Sequence, residues 1–313
     1  MAKPIEGPYP LTPEWVAERP IRIGASEAAR ACGMSEYGTP YQLALEKTGQ
    51  VPPFAGNKHT RRGRRYEPLI AEDWEELRGV KLRRYPCPMF IHGIYDFMAA
   101  TPDGVIDDTS GLEIKSSSWR MANTLGEEGT DDIPNDWLFQ AQQQMAVMNW
   151  SRVEVCILIE MALHIHVVER NDPLIELMIA AERELMERIR DGRLPEPNWQ
   201  HSSTPKLMRH LHQTVNETRI LLTDEEVHCW LEYEALGKEV KALEERRDVA
   251  KAKVLHGIAD HGAGLLHDGR MVRRKWIEKK PYLVEKKLYI DVRSVRADGG
   301  RIVDRENHTG GEA

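Results

Sequence analysis

The sequence is poor in cysteine and in long apolar runs, and both shortages limit what the protein can be. Four of the 313 residues are cysteine, they are widely separated, and none forms a CxxC pair. This spacing argues against a zinc knuckle or a disulfide framework, so reduced and mostly buried thiols are expected. No run approaches the roughly eighteen apolar residues of a membrane span, and the N-terminus lacks the apolar core of a signal peptide. We therefore expect a cytoplasmic protein.

A general excess of basic residues is also missing. Lys and Arg number 43 against 50 Asp and Glu, which gives a net charge of −7. This balance excludes a nucleic-acid coat protein, and any DNA binding must depend on a local basic cluster. The apolar share of 41% and the charged share of 30% are typical of a globular chain. The length suits one large domain with an extension, or two domains.

The hydrophobic pattern predicts a mixed α/β region. Ser26 is a candidate N-cap of a short helix, and a longer helix is predicted over residues 59–77. Short β-type runs separated by Gly, Pro and Asp lie between residues 81 and 115, which predicts an antiparallel meander. Beyond them we expect a helix over 135–149, strands over 153–159 and 164–169, and a helix over 173–190.

A boundary is predicted near residue 200, after the Gly- and Pro-containing loop 191–197. We divide the chain into domains 1–200 and 201–313. In the second, the capping box Thr223-Asp224-Glu225-Glu226 begins a long charged helix, and alternating residues around 265–277 and 288–292 predict a β-hairpin. This C-terminal extension is a candidate DNA-contact or oligomerisation element.

Two acids and a lysine form the most informative motif. Thr101-Pro102-Asp103-Gly104 is followed by Glu113-Ile114-Lys115. Glu113 and Lys115 are two residues apart on a predicted strand, so their side chains leave one face of the sheet, and Asp103 lies in a turn between strands. Two carboxylates and the Ile114 carbonyl are hard oxygen ligands for Mg²⁺. Such a site suits phosphodiester hydrolysis by a metal-activated water, with Lys115 orienting the water or stabilising the transition state.

A D-x(n)-E-x-K match alone arises often by chance, because acids and lysines are common at turns and on exposed strands. Further motifs occur in a consistent order, namely Ile23-Gly24-Ala25-Ser26-Glu27, Glu46-Lys47-Thr48-Gly49, Gly63-Arg64-Arg65-Tyr66-Glu67-Pro68, Gly111-Leu112-Glu113-Ile114-Lys115 and Gln140-Ala141-Gln142. With them, residues 15–190 resemble the lambda-exonuclease and YqaJ-type viral recombinase family of PD-(D/E)XK nucleases. The resemblance implies a restriction-endonuclease-like α/β (α+β) core, with a mixed central sheet flanked by helices. A helical arm and a small β element would follow it.

The resemblance also implies further residues at the metal site. The family's additional acid corresponds to Glu67, which would allow one or two Mg²⁺ ions, or Mn²⁺ in their place. The alternative is a solvated helix acid paired with neighbouring arginines. A family glutamine corresponds to Gln140, whose amide can donate to a phosphate oxygen or to the attacking water. Gln144, on the same predicted helix face, is a weaker candidate.

Recognition of a terminal 5′-phosphate is implied for Arg19 and Ser26. Arg22 competes with Arg19 for this role, and Ser26 could simply cap its helix. Thr101 keeps a hydroxyl that could meet the same phosphate. An arginine fork and a helix N-terminus are both suited to binding an anion.

Two basic clusters are candidates for holding DNA. Arg61, Arg62, Arg64 and Arg65 lie beside Glu67, although acids later in the same helix could balance them as a solvated face. Between residues 270 and 287, eight Lys and Arg less two Glu give +6, with Trp276 and Tyr282 interleaved. A merely soluble β-hairpin is the alternative there. His164 and His166 share a strand face but have no third ligand nearby, so we interpret them as structural.

The resemblance implies Mg²⁺-dependent 5′-to-3′ digestion of linear double-stranded DNA, which leaves 3′ single-stranded tails for phage-type recombination. The implied partners are double-stranded DNA, a single-strand annealing protein and further copies of the chain in a ring trimer. No organic cofactor is needed. An internally cutting endonuclease is one alternative. A nuclease with an iron–sulfur cluster is disfavoured by the cysteine spacing. A non-catalytic DNA-binding scaffold is disfavoured by the acids, because binding alone gains nothing from carboxylates crowded beside phosphate.

Overall fold

The computed structural model describes residues 3–53, 56–212 and 219–278. The chain divides into two compact units, residues 1–213 and 214–313. The first unit extends past the boundary predicted near residue 200. Leu207, which lies beyond that boundary, packs in one hydrophobic cluster with Leu45 and Val51. None of the described helices is long and apolar enough to cross a membrane.

Four of the eight helices of the first unit begin at a capping side chain. Thr12, Thr39, Asn57 and Asn171 each accept a hydrogen bond from a backbone N–H in the first turn of the helix that follows. The helices are α1 (Pro13–Glu18), α2 (Ala28–Ala31), α3 (Pro40–Lys47), α4 (Lys58–Arg78), α5 (Trp119–Ala122), α6 (Asn135–Met148), α7 (Asp172–Arg190) and α8 (Thr204–Leu211). Short 3-10 turns cover Arg19–Ile21 and Ala25–Glu27.

The strands of this unit form two four-stranded mixed sheets. They are β1 (Ile5–Glu6), β2 (Ile23–Gly24), β3 (Phe90–Ile91), β4 (Met98–Ala100), β5 (Gly104–Val105), β6 (Ser110–Ser117), β7 (Arg152–Ile159) and β8 (Ala162–Glu169). One sheet has the order β1-β3-β4-β2, and the other has the order β5-β6-β7-β8. Strands β2 and β4 are parallel, as are β6 and β7, and the other neighbours are antiparallel. Mixed sheets flanked by helices confirm the predicted fold class.

The antiparallel meander predicted over residues 81–115 is wrong as a single sheet. Residues 81–85 contribute only an isolated bridge between Arg84 and Val105, and β4 and β5 belong to different sheets. Pro102 lies between these two strands and has no N–H to donate to a ladder, so a continuous pairing is interrupted there. The turn that results contains Asp103.

Strands β6 and β7 form the buried centre of the second sheet, with a helix on each face. On one face, Val155 and Ile157 pack in a cluster with Ala141 and Met145 of α6. On the other face, Leu112, Ile114 and Cys156 pack with Ile70 and Trp74 of α4. Glu113 pairs across the ladder with Val155, and Lys115 with Ile157. Because paired residues share a face, Glu113 and Lys115 face helix α6.

The second unit consists of a long helix and a short hairpin. Helix α9 (Asp224–Ile258) begins at a capping box in which Thr223 and Glu226 satisfy each other's backbone N–H groups, as the sequence predicted. Strands β9 (Ala263–Leu265) and β10 (Met271–Arg273) pair antiparallel. The strand predicted over 288–292 lies outside the described residues.

Candidate active site

Strand β6 and the turn before it bring Asp103, Glu113 and Lys115 together. The Asp103 Oδ2 atom accepts a hydrogen bond of 2.6 Å from the Ile114 backbone N–H, which fixes the turn against the strand. Lys115 Nζ donates to Glu113 Oε1 at 2.6 Å. Glu113 is 3% exposed, so its charge depends on protein groups for compensation. The ion pair and the two-residue spacing agree with the prediction that these side chains share one cleft.

Helix α6 supplies amide groups to the same carboxylate. Gln140 Nε2 donates to Glu113 Oε1 at 2.6 Å, and Lys115 Nζ donates to Gln140 Oε1 at 2.8 Å. Gln144 Nε2 donates to the other oxygen, Glu113 Oε2. Gln143 instead donates to the backbone carbonyls of Ile23 and Ala99 at 2.8 and 3.0 Å. Gln144, the weaker candidate from the sequence, thus contacts Glu113 as directly as Gln140 does.

Glu67, on α4, adds a third carboxyl group to the cluster. Burial, followed by the charge of Glu113, raises the pKa of Glu67, against the opposing effects of Lys115 and Arg64. Burial, followed by the charges of Glu113 and Glu67, raises the pKa of Asp103 well above its usual value. Repulsion between neighbouring carboxylates raises their pKa values in this way. Glu67 is half-buried and Arg64 lowers its pKa, so the third-acid interpretation and the arginine-paired alternative both stay predictions.

The donor chemistry of this cluster fits a hard divalent cation. Carboxylate and carbonyl oxygens are the ligands that Mg²⁺ prefers, and it keeps several waters when few protein ligands are offered. Across residues 3–53, 56–212 and 219–278, no group of three or more His, Cys, Asp or Glu side chains is arranged to hold a metal ion by itself. The predicted ligands, which are Asp103 and Glu113 with the Ile114 carbonyl and Glu67 for a second ion, carry donor atoms of this kind, and their coordination of a metal stays a prediction.

The residues predicted to meet a 5′-phosphate surround a small cavity of ≈ 70 Å³ beside the acids. Arg19, Arg22, Ser26, Thr101 and Gln140 all line it. Ser26 lies inside a 3-10 turn that follows Gly24, so its prediction as an N-cap is wrong. The capping position requires extended backbone, which Gly24 supplies with ψ 154°. The Ser26 side chain is exposed.

Both candidate arginines already have carboxylate partners. Arg19 pairs with Glu27, and its guanidinium lies 4.9 Å from the centre of the Trp15 ring. Arg22 pairs with Glu18 at 2.6 Å. Arg19 remains 36% exposed at its side chain, against 16% for Arg22. Arg19 is thus the more accessible of the two.

A buried ion pair behind this cavity was not predicted. Lys47 Nζ lies 2.9 Å from Glu27 Oε2 and donates to the Arg19 and Arg22 carbonyls. Burial opposes the charge of Glu27, but Lys47 and Arg19 together hold its pKa below the usual value. Both residues lie inside motifs recognised in the sequence, yet their spacing carried no signal that they pair. They position the Arg19–Glu27 segment.

The arginines at the start of α4 are exposed and face solvent beside Glu67. Arg62 lies 5.2 Å from the centre of the Tyr66 ring. Within the described part of the chain, no salt bridge joins Arg61, Arg62, Arg64 or Arg65 to a carboxylate, and the later helix acid Glu75 pairs instead with Lys81. These four charges are available to a polyanion.

A wide cleft of ≈ 690 Å³ leads away from Lys115 and Gln140. Its walls include Arg30, Trp137 and Lys206. Lys115 and Gln140 are the residues of the candidate site that open onto this cleft.

Other sequence candidates lie away from the acids or outside the described residues. His166 is 1% exposed and lies 3.1 Å from the Thr130 carbonyl oxygen, and His164 pairs with Glu128, so their structural interpretation agrees with their contacts. The four cysteines are free, and Cys229 is exposed. The second basic cluster is described only as far as residue 278, where Trp276 is 99% exposed.

Comparison with known proteins agrees with the resemblance predicted from the motifs. Residues 14–151 match the YqaJ-like viral recombinase domain. The uncharacterized protein YqaJ of Bacillus subtilis (strain 168) is 26% identical over 259 residues, which cover 81% of this chain and 80% of that protein. Residues 14–151 include Glu67, Asp103, Glu113 and Gln140. The resemblance predicted from the motifs is confirmed.

Solved structures with a similar chain path include two of an alkaline exonuclease, LHK-Exo, from Laribacter hongkongensis. One has a TM-score of 0.48 and the other, a complex with dAMP, has 0.49; each is 20% identical and covers 58% of this chain and 94% of that chain. A phage-related exonuclease from Haemophilus somnus 129PT has a TM-score of 0.42 and 14% identity, and covers 55% of this chain and 96% of its own.

Proposed function

We propose that this chain, whose residues 14–151 match a YqaJ-like viral recombinase domain, is a metal-dependent deoxyribonuclease that digests linear double-stranded DNA from its 5′ ends. The observation that carries the proposal is the hydrogen-bonded group of Glu113, Lys115 and Gln140, with Asp103 fixed to the same strand through the Ile114 N–H. A protein that only binds DNA would lose affinity by placing these carboxylates beside phosphate.

Asp103, Glu113 and the Ile114 carbonyl are the groups that would hold Mg²⁺ or Mn²⁺, with Glu67 available for a second ion. Such an ion would supply Lewis-acid stabilisation of the charge that develops on the scissile phosphate and would lower the pKa of the attacking water. Lys115 Nζ, held between Glu113 and Gln140, can orient that water and stabilise the transition state. The Gln140 amide can donate to a phosphate oxygen.

The small cavity beside the acids supports a preference for DNA ends. Ser26 and Thr101 contribute hydroxyl groups there, and Arg19 contributes a partly exposed guanidinium. A terminal phosphate bound at this point would place the first phosphodiester next to Asp103 and Glu113. Digestion from that end releases nucleotides from the 5′ strand and leaves a 3′ single-stranded tail. The exposed cluster of Arg61 and Arg64 would hold the duplex.

The product suggests the partners. A 3′ tail is the substrate of a single-strand annealing protein, and we propose that such a protein acts next in recombination. A ring trimer of this chain around DNA would account for processive digestion. Both proposals come from the family resemblance.

Digestion of linear duplex DNA labelled at one 5′ end tests the activity. Substrates with and without the 5′-phosphate are compared in Mg²⁺ and in EDTA, for wild type and Lys115→Ala, with closed circular DNA as the control. We expect Mg²⁺-dependent release of labelled mononucleotide, slower without the phosphate and absent in the variant. Nicking of the circle would instead establish an endonuclease, and binding without hydrolysis a DNA-binding scaffold.

A further inference from the structure

A second cavity is lined by residues of β6 and α4, and neither hydrolysis nor end recognition uses it. Its volume is ≈ 430 Å³, within the range of pockets that bind small organic groups. Ser116 of β6 lines this cavity, whereas the neighbouring Lys115 lines the wide cleft, because successive strand residues point to opposite faces. On α4, Tyr66 lines the cavity and the next residue is Glu67. The cavity and the candidate active site therefore use neighbouring residues of the same two elements, and the cavity lies on the opposite face of β6 from Lys115.

The walls of this cavity include two aromatic rings and an arginine, together with the serines at positions 116–118. Trp119, just after the end of β6, is 58% exposed, and the Arg120 guanidinium lies 5.6 Å from the centre of its ring. In the same way, the Arg62 guanidinium lies 5.2 Å from the centre of the Tyr66 ring. Exposed aromatic faces with nearby arginines are the groups on which proteins stack the bases of single-stranded nucleic acid.

The remaining polar groups favour bases over phosphates. Glu160 lines the cavity together with His59 and the Ser116 hydroxyl. A carboxylate repels phosphate but accepts hydrogen bonds from the N–H groups of unpaired bases, which are exocyclic amines in A, C and G and the ring N3–H in T. The Trp119 ring can stack only on a base whose face is uncovered, and in a duplex each base face is covered by its neighbours. The fitting ligand is thus an unpaired base.

We propose that this cavity binds unpaired bases of single-stranded DNA, with Trp119 as the stacking platform. Tyr66 with Arg62 forms the second wall, and Glu160 accepts from N–H groups of the bases. The inference rests on the proposed function for the origin of the single strand, since a nuclease that digests one strand of a duplex leaves the other strand unpaired. The binding itself needs no hydrolysis and can be measured separately.

Fluorescence anisotropy with labelled oligo(dT) tests the site, with EDTA present so that nothing is cut. An oligonucleotide of the same length made of abasic sites serves as the second probe, because it has the same charge and no bases. Wild type should bind oligo(dT) more tightly than the abasic probe. Trp119→Ala should weaken oligo(dT) binding by about 5- to 150-fold, the effect of one lost stacking contact, and leave abasic binding unchanged. Trp119→Phe should keep most of the affinity.

Trp199→Ala is the matched control, since Trp199 is 69% exposed and does not line the cavity. We expect it to bind both probes as wild type does. Three results would overturn the inference: equal losses on both probes, which indicate a phosphate contact only; an equal loss on blunt duplex, which indicates a duplex groove; or no loss with Trp119→Ala. Failure of the proposed function is distinguishable, because it would appear as absent Mg²⁺-dependent digestion by wild type.

Discussion

Asp103 is the residue at which function and stability conflict most directly. Burial and two neighbouring carboxylates raise its pKa well above the usual value. A group with a raised folded-state pKa destabilises the fold when the pH lies above that pKa, and the cost disappears as the pH falls below the unfolded value. A bound divalent ion would offset the same repulsion.

Asp103→Asn should therefore stabilise the metal-free protein while abolishing hydrolysis. The amide oxygen can still accept from the Ile114 N–H, and the repulsion from Glu67 and Glu113 is removed. We expect a gain of about 1 kcal/mol or more in the free energy of unfolding at neutral pH, since one pKa unit corresponds to about 1.4 kcal/mol. Urea denaturation in EDTA between about pH 5 and 8 measures it. The gain should shrink toward the acid end, and an Asn variant less stable than wild type at pH 8 would contradict the argument.

Gln143 and Gln144 are neighbours with separable roles. Gln144 donates to Glu113 Oε2, so Gln144→Ala should lower kcat by about tenfold, which corresponds to about 1.4 kcal/mol of transition-state stabilisation. Gln143 bonds two backbone carbonyls, so Gln143→Ala should lower the free energy of unfolding by about 1–3 kcal/mol. Single-turnover digestion and urea denaturation are measured for both variants. Equal kinetic losses in the two would show that Gln144 acts only through stability.

At the scale of elements, strand β6 packs closely against Trp150, which follows the end of helix α6. A Cβ added at Gly111 would lie 2.0 Å from Trp150 Cζ3, and Trp150 is 2% exposed. The buried ring has no room to move away. This contact explains why glycine precedes the Leu112-Glu113-Ile114-Lys115 run.

Gly111→Ala should destabilise the protein by about 1–3 kcal/mol, the usual cost of overpacking. Gly237→Ala in α9 is the matched control, because nothing lies within 4 Å of its added Cβ. Helix propensity predicts that the control is stabilised by about 0.5–1 kcal/mol. Thermal unfolding followed by circular dichroism distinguishes the two. A neutral Gly111→Ala would mean that Trp150 can be displaced at no cost.

Helix α3 is tied to the Arg19–Glu27 segment by the pair of Lys47 and Glu27. Lys47→Met should cost about 3–5 kcal/mol, because it leaves Glu27 buried without its main partner. The double variant Lys47→Met with Glu27→Gln should recover a large part of that loss. Chemical denaturation of both variants and of Glu27→Gln completes the cycle. Additive losses would show that the two side chains do not depend on each other.

The chain consists of two units, and every described hydrophobic cluster belongs to the first. These clusters are built from residues between Ile23 and Leu211. In α9 the long apolar side chains are mostly exposed, and Ile258 is its buried residue. Stability of the first unit should thus be independent of the second.

Residues 1–213 expressed alone should keep the cooperative unfolding transition of this unit, with a melting temperature within a few degrees of that in the full chain. Circular dichroism and differential scanning calorimetry measure this. Digestion of labelled linear DNA by the fragment then shows whether the extension contributes to activity. A fragment that fails to fold would show that the extension is part of the core.

The sequence predicted the strand of the candidate active site and the long C-terminal helix because their signals are local. Alternation by two residues places Glu113 and Lys115 on one face, and Thr223 with Glu226 defines a helix start within four residues. The α/β class and the turn at Asp103 follow from similar short-range patterns. The Ser26 cap failed because Ser and Gly are both accepted at caps, and the local pattern did not discriminate between them.

Only the tertiary structure decided which partner each side chain meets. Gln140, Gln143 and Gln144 share a helix face by spacing, yet two bind Glu113 and one binds the carbonyls of a different sheet. Two helices, α5 and α6, lie between the parallel strands β6 and β7 in the chain, and the contact of Lys47 with Glu27 joins two separate motifs. The cavity at Trp119 likewise forms where α4 crosses the end of β6. Periodicity specifies the direction in which a side chain points, whereas its neighbour depends on how distant segments pack.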